Sequence, residues 1–255
     1  IGAGPAGMEA ARIAAQRGHT VSLYEKKASL GGLVATAQPF KGGHERLGDL
    51  IDYLKHQQEV CGVEVHTETE VTADMVREKA PDAVIVAVGG TRDTRLEETE
   101  AVKIVSVEGL ANAETGENVV ICGDGAQAID CALFLLAQGK HVQIVSETEK
   151  ELVDKEQSLW VRAFVVPHLQ AQGVRMWHNV QIGSVVEGGL EITLSTGEDK
   201  TLECDSVLEC YDMLPNSALF DELKSEFEAI AVGDCNNPLN IAQAIREGNL
   251  AARSL

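Results

Sequence analysis

The chain has 255 residues, with 21 Lys plus Arg against 40 Asp plus Glu, for a formal net charge of −19. Hydrophobic residues make up 44% and charged residues 24%, enough to fill a core in one large or two modest domains. The acidic balance repels a nucleic-acid backbone or an anionic membrane at long range, so neither is an expected partner. No apolar run reaches the ~18 residues that span a bilayer and no signal peptide is recognised, so the expected location is the cytoplasm.

The chain opens on a glycine-rich turn, Ile1-Gly2-Ala3-Gly4-Pro5-Ala6-Gly7. Such a turn follows a strand of about five apolar residues, of which only Ile1 is present; the chain is therefore expected to be part of a longer polypeptide. Glu9 to Gln16 has helical spacing, Gly18 stops it, and Val21 to Tyr24 reads as a strand. Glu25 follows, 23 residues after Gly2, where a dinucleotide fold places an acid for the ribose hydroxyls. Residues 30–45 read as an irregular glycine-rich segment, and Asp49 to Glu59 as a helix with Leu50, Ile51 and Leu54 on one stripe. Val63 to Val65 and the apolar run Pro81 to Val88 are predicted strands, the second covered on both faces. It ends in Gly89-Gly90, where backbone can pass close to a ligand. Residues 91–118 are polar and acidic and read as a crossover.

The opening pattern then recurs. Gly2-x-Gly4-x-x-Gly7 returns as Gly123-x-Gly125-x-x-Ala128, offset by 123 − 2 = 121. The same offset relates Gly18–Tyr24 to Gly139–Val145, so each copy reads turn, helix, glycine stop, strand. A lone glycine triplet is a weak signal. Here Val119 to Cys122 precedes the second turn, Ile129 to Gln138 follows as a helix, and these are two β-α-β units. Glycines let backbone N–H groups approach a pyrophosphate at the helix N-terminus. In the second copy the ribose position is Ser146, with Glu147 and Glu149 beside it. No Arg or Lys nearby in sequence would neutralise a 2′-phosphate, so NAD(H) is favoured over NADP(H). Short strands are predicted around Val174 and over Val180–Val186, Leu190–Leu194 and Ser206–Leu208. Ala229 to Val232 is a strand ending in Gly233-Asp234, and Ile241 to Ser254 is a helix. Six cysteines contain no C-x-x-C pair; Cys204, Cys210 and Cys235 read as buried thiols rather than ligands.

Together these residues resemble the two-dinucleotide-binding flavoprotein (pyridine nucleotide–disulfide oxidoreductase) superfamily. More narrowly, they are similar to the C-terminal half of the iron–sulfur members of the old yellow enzyme family, the group of 2,4-dienoyl-CoA reductase and trimethylamine dehydrogenase. The motifs that carry the likeness run from Ile1–Ala11, Leu23-Tyr24-Glu25 and Leu30–Leu33 through Asp49–Leu54, Gly62–Val65, Thr69–Thr72 and Pro81–Gly90. They end at Gly233-Asp234-Cys235 and Ala244–Gly248.

The resemblance implies an α/β protein with two Rossmann-like three-layer domains, an NAD(P)H domain (113–213) inserted into a discontinuous FAD domain (1–112 and 214–255). FAD would meet Gly2, Gly4, Pro5, Ala6 and Gly7 at its pyrophosphate, with Glu25 and Lys26 at the adenosine ribose and Gly32 and Leu33 flanking it. Val71 would meet the adenine, Ala87 and Gly89 would pass close by, Gly233 and Asp234 would hold the ribityl chain, and Ala242 would lie near the flavin ring. NAD would use Gly123, Asp124, Gly125, Gln127, Ala128, Asp130, Ser146 and Glu147. The family's FMN barrel and iron–sulfur cluster would lie upstream of Ile1, the barrel being the expected partner; a homo-oligomer is also compatible with the resemblance. One departure is Asp212, where the family has glycine three residues before Pro215-Asn216; a side chain there would crowd a nicotinamide. Disulfide-reductase chemistry needs a vicinal cysteine pair, which this chain lacks.

The implied activity is hydride transfer from NADH to FAD N5 and onward to the iron–sulfur and FMN part of an enoate or enone reductase. Because the cofactors carry that chemistry, no side chain is expected to be catalytic. The alternative is a docking domain that holds an adenine dinucleotide without turnover, which Ser146 and Asp212 favour. Loss of a central first strand would also leave this chain with weak FAD binding.

Overall fold

The computed structural model describes residues 1–41, 46–149 and 158–255; the predicted irregular stretch around Gly42–His44 lies outside them. In chain order the elements are α1 (Pro5–Gln16), β1 (Ser22–Tyr24), α2 (Gly32–Lys41), α3 (Leu47–Cys61), β2 (Glu64–His66), α4 (Ala73–Lys79), β3 (Ala83–Val86) and β4 (Gly90–Arg92). Then come β5 (Lys103–Ser106), β6 (Asn118–Cys122), α5 (Ala126–Ala137), β7 (His141–Val145), α6 (Leu159–Ala171), β8 (Arg175–Trp177), β9 (Gln181–Val186), β10 (Gly189–Thr193), β11 (Asp199–Glu203) and β12 (Ser206–Glu209). The chain closes with β13 (Met213–Pro215), α7 (Ala218–Leu223), β14 (Glu228–Ala231) and α8 (Ile241–Ser254).

Two compact units result, Ile1–Thr91 with Met213–Leu255, and Arg92–Asp212. The insertion architecture is that of the α/β expectation, with parallel strand pairs β1-β2 and β3-β14 in the first unit and a parallel sheet in the second. Residues 92–112, placed by sequence in the first domain, pack instead with the second: β5 pairs in parallel with β12, and the Arg95 and Leu96 amides donate to Glu209 at 2.7 and 3.1 Å.

In the first unit α1 begins at Pro5, whose missing N–H suits the first helical position, and carries an alanine face. That face meets α8 so closely that a Cβ on Gly248 would lie 2.1 Å from the Ala6 carbonyl oxygen, and Ala10, Ala14 and Ala252 bury one another there. On the far side Met8, Ala11, Leu23 and Leu54 form a separate core that sets α3 against α1. α3 ends on Gly62, and Gln58 inside it donates to the Met8 carbonyl at 2.9 Å.

The sheet of this unit is divided. β1 pairs only with β2 and β3 only with β14 among the described residues. A cavity of about 740 Å³ separates the facing edges, lined by Ser22 to Tyr24 on one side and Ala83 to Ile85 on the other. Ile1 closes its end as a one-residue ladder: its amino group donates to Ile85 O at 2.8 Å and its carbonyl accepts from Ala87 N at 2.8 Å. Gly2 N donates to Tyr24 O at 2.7 Å.

The second unit has an unbroken five-stranded parallel sheet, ordered β5-β12-β6-β7-β8, and an antiparallel three-stranded sheet, β11-β10-β9. Val120, Val145, Val207, Leu190, Ile192 and Leu202 from both sheets share one core. β6 is buried along Val119 to Cys122, as a strand covered on both faces must be.

The structure corrects several sequence assignments. Residues 32–41 are helical rather than irregular, because Gly31 and Gly32 lie at the helix start and Pro39 in its last turn. α4, α6 and α7 are helices beyond those the sequence pattern predicts; Pro167 interrupts the pattern of α6. β5, half apolar, lies within the predicted crossover, and the mostly polar β11 gives no alternating signal in the sequence.

Candidate functional site: two glycine-rich turns

Both turns are held by the same backbone solution. Gly2 sits at φ 94° and a Cβ on it would lie 2.3 Å from Ala87 O. Gly123 sits at φ 130° and a Cβ there would lie 2.2 Å from Cys210 O. Gly123 N donates to Val145 O at 2.9 Å, as Gly2 N does to Tyr24 O. Only glycine fits such a φ beside a carbonyl. The third position differs: a Cβ on Gly7 would meet Gly2 O at 1.9 Å, whereas Ala128 is fully buried in place.

Each turn delivers a helix whose first-turn amides have no side-chain acceptor. The N-caps of α1 and α5 are Gly4 and Gly125, and neither helix has a side-chain cap. By contrast α4, α6 and α8 are capped by Thr72, Ser158 and Asn240. Uncapped N–H groups at the positive end of a helix dipole suit a phosphate. α2 adds to this in the first unit, since a Cβ on Gly32 would lie 3.0 Å from Gly4 Cα; the starts of α1 and α2 thus adjoin, with Leu33 in the first turn of α2.

Glu25 follows directly on the end of β1. It is 7% exposed, and its carboxylate accepts from Ala3 N at 2.8 Å and Lys27 N at 2.9 Å. Lys26 points to solvent. Val71 is half-buried beside the cavity. Gly89 has open space where a Cβ would be, and Ala87 is buried. Gly233 packs against Ala6, with 3.0 Å to its Cβ from the Cβ that Gly233 lacks. Burial raises the Asp234 carboxyl above its ordinary value, outweighing the hydrogen bond it accepts from the Leu239 backbone, because the charged form has lost water. Ala242 is exposed in the first turn of α8. Glu247, which the sequence reading passed over, fixes Gly233 by accepting its N–H at 2.8 Å and holds Gln243 at 2.8 Å. These features fit FAD: a bare helix start, a fixed acid at the ribose position, and a half-buried carboxyl past the final strand.

The second turn is furnished differently. Ser146 stands where Glu25 does in the first unit, and its N–H bonds Trp177 O at 2.8 Å as that of Glu25 bonds His66 O. Asp124, at the position of Ala3, sends its carboxylate across to Ser146 Oγ at 2.5 Å and to Thr148 Oγ1. Its own carboxylate therefore spans the mouth of this turn. Glu147 pairs with Arg95 at 2.8 Å, so a cation does reach this edge, contrary to the sequence reading; it arrives from the crossover and also binds Asp93 at 2.7 Å. Arg95 stacks on Tyr211, 4.2 Å to the ring centroid. Gln127 accepts from Arg92 at 2.7 Å, and Asp130 is half-buried on α5. Asp212 is exposed. Cys204, Cys210 and Cys235 are buried; burial pushes the Cys122 thiol up to about 12 and the Cys204 thiol up to about 11, so neither is a ready thiolate.

A family model described as pyridine nucleotide-disulphide oxidoreductase matches residues 1–248. The chain belongs to that family. Among curated relatives, a bilirubin reductase of Mediterraneibacter gnavus is 30% identical over 268 residues, covering 100% of this chain and 40% of the relative. A cinnamate reductase of Clostridium sporogenes is 28% identical over 261 residues, covering 100% and 38%. The solved structure of a 2-naphthoyl-CoA reductase superposes with a TM-score of 0.89 at 27% identity, covering 100% of this chain and 39% of that one. The family member thus spans about two fifths of such relatives, and the narrower resemblance to 2,4-dienoyl-CoA reductase-like enzymes is borne out. Flavin-dependent oxidoreductase chemistry is the class to which this family domain belongs.

Proposed function

We propose that the chain is the FAD- and NADH-binding module of a larger reductase acting on an unsaturated substrate such as an enoate or enone. In this reading the upstream part is an FMN barrel carrying an iron–sulfur cluster. The observation that carries it is the pair of equivalent helices, α1 and α5, each started by glycine and left without a side-chain cap. FAD supplies the two-electron chemistry when bound. The chain's own residues position: Gly2, Gly4 and Gly7 keep the first turn clear, and Glu25 would accept from ribose hydroxyls. Asp234 would accept from a polyol, and the amides of the first turns of α1 and α2 would face the pyrophosphate. No side chain need exchange a proton with the substrate.

NAD(H) is the favoured second nucleotide, because the Asp124 carboxylate lies at the edge where the ribose would sit and Arg95 is already held by two carboxylates. The test is a visible spectrum after reconstitution with FAD, where the bound cofactor absorbs at about 450 nm, followed by anaerobic addition of NADH. Bleaching by NADH supports the module. Retained absorbance that NADH cannot bleach supports the second reading, a dinucleotide-holding docking domain, which the carboxylate across the second turn favours.

A further inference from the structure

The two units build the same seat with opposite polarity. In the first, a carboxylate at the strand end, Glu25, reaches back to a turn amide, Ala3 N. In the second, the strand end offers hydroxyls, Ser146 and Thr148, and the carboxylate comes from the turn, Asp124. From this geometry we infer that Asp124, rather than Glu147, reads the ribose 2′ position of the second nucleotide and selects a free hydroxyl over a phosphate. The inference deepens the proposed NAD(H) site and rests on that reading.

The hydrogen-bond inventory gives the reason. Ser146 is 1% exposed, and its Oγ already accepts from Thr148 N at 3.0 Å. Both hydroxyls donate to the same oxygen, Oδ2 of Asp124. Their protons are then committed, and Oδ1 is the atom left to accept from a ligand hydroxyl. A 2′-phosphate would bring a second anion against that carboxylate, and like charges in close approach repel. Glu147 is engaged elsewhere, with Arg95 at 2.8 Å, and both side chains are 46% exposed, where a charge discriminates weakly.

The experiment is calorimetric binding of ADP-ribose and of its 2′-phosphate to the protein with the first unit saturated with FAD, a readout independent of turnover. Wild type should prefer ADP-ribose, and Asp124→Asn, which keeps the shape and removes the charge, should shrink that preference roughly tenfold or more. Glu147→Gln should leave it within about twofold. Unchanged melting and FAD content show that each variant is folded. If ADP-ribose binds and Asp124→Asn leaves the preference intact, or if Glu147→Gln is the variant that shrinks it, the assignment to Asp124 is wrong while the NAD(H) reading stands. If neither probe binds wild type, the Asp124–Ser146–Thr148 network is a plug and both readings fall together.

Discussion

The two glycine-rich turns share a frame and differ in furnishing. Gly2 and Gly123 donate to the ends of β1 and β7 at 2.7 and 2.9 Å, and each lies against a carbonyl that forbids a side chain. The residues that would touch a ligand have nonetheless diverged, Ala3 against Asp124 and Glu25 against Ser146. The lesson is that backbone geometry at such a turn is fixed by a few steric exclusions, whereas ligand choice rests on two side-chain positions that can exchange roles.

Breaking the frame should have the largest effect. Gly7→Ala puts a Cβ 1.9 Å from Gly2 O, although alanine is the native residue at the matching position 128. It should abolish FAD retention and lower stability by about 1–3 kcal/mol, read as lost flavin absorbance and a depressed melting temperature. Full FAD content in that variant would mean the two turns are sterically alike after all. Next comes the furnishing. Glu25→Gln removes the charge from an acid held by two amides, and should weaken FAD by roughly tenfold to a hundredfold in a titration without emptying the second unit.

Asp234→Asn should weaken FAD less and change the pH response of the free protein. The folded-state carboxyl is raised by burial, so folding favours its neutral form. That contribution is complete at acid pH and lost as pH rises through the raised value. The asparagine variant should show a flatter loss of melting temperature over that range. Smallest should be Arg95→Ala. It removes a half-exposed pair with Glu147 and the stack on Tyr211, together about 0.5–1.5 kcal/mol; a much larger loss would make this edge a structural clasp.

Sequence revealed the turns, the repeat, the strand-end acids and α8, because each rests on local rules: glycine spacing, helix periodicity and a stop. Ile241 to Ser254 was read to the residue. What it hid depends on chain that returns from far away. Arg95 meets Glu147 across 52 residues of sequence, and no spacing rule links them. Glu247 is 14 residues past Gly233 and looks like any polar helical residue until α8 folds back on the strand end. The Asp124 network was closer to legible: Ser146-x-Thr148 is a hydroxyl pair two residues apart, yet its partner across the turn emerges only once β7 lies beside β6. α2 was lost to composition, since Gly31, Gly32 and Pro39 outweighed the helix formers between them.

The divided sheet of the first unit has a consequence for how its cofactor seat is anchored. Ile1 and Gly2 tether the first glycine-rich turn to β1 and β3 at one end of an open groove, whose walls are strand edges left unpaired among the described residues. An extended segment that paired along both walls would zip them into a single continuous sheet. Flavin affinity, resistance to amide exchange along Ala83–Val86, and the loss of stickiness at two bare strand edges should then rise as one cooperative event.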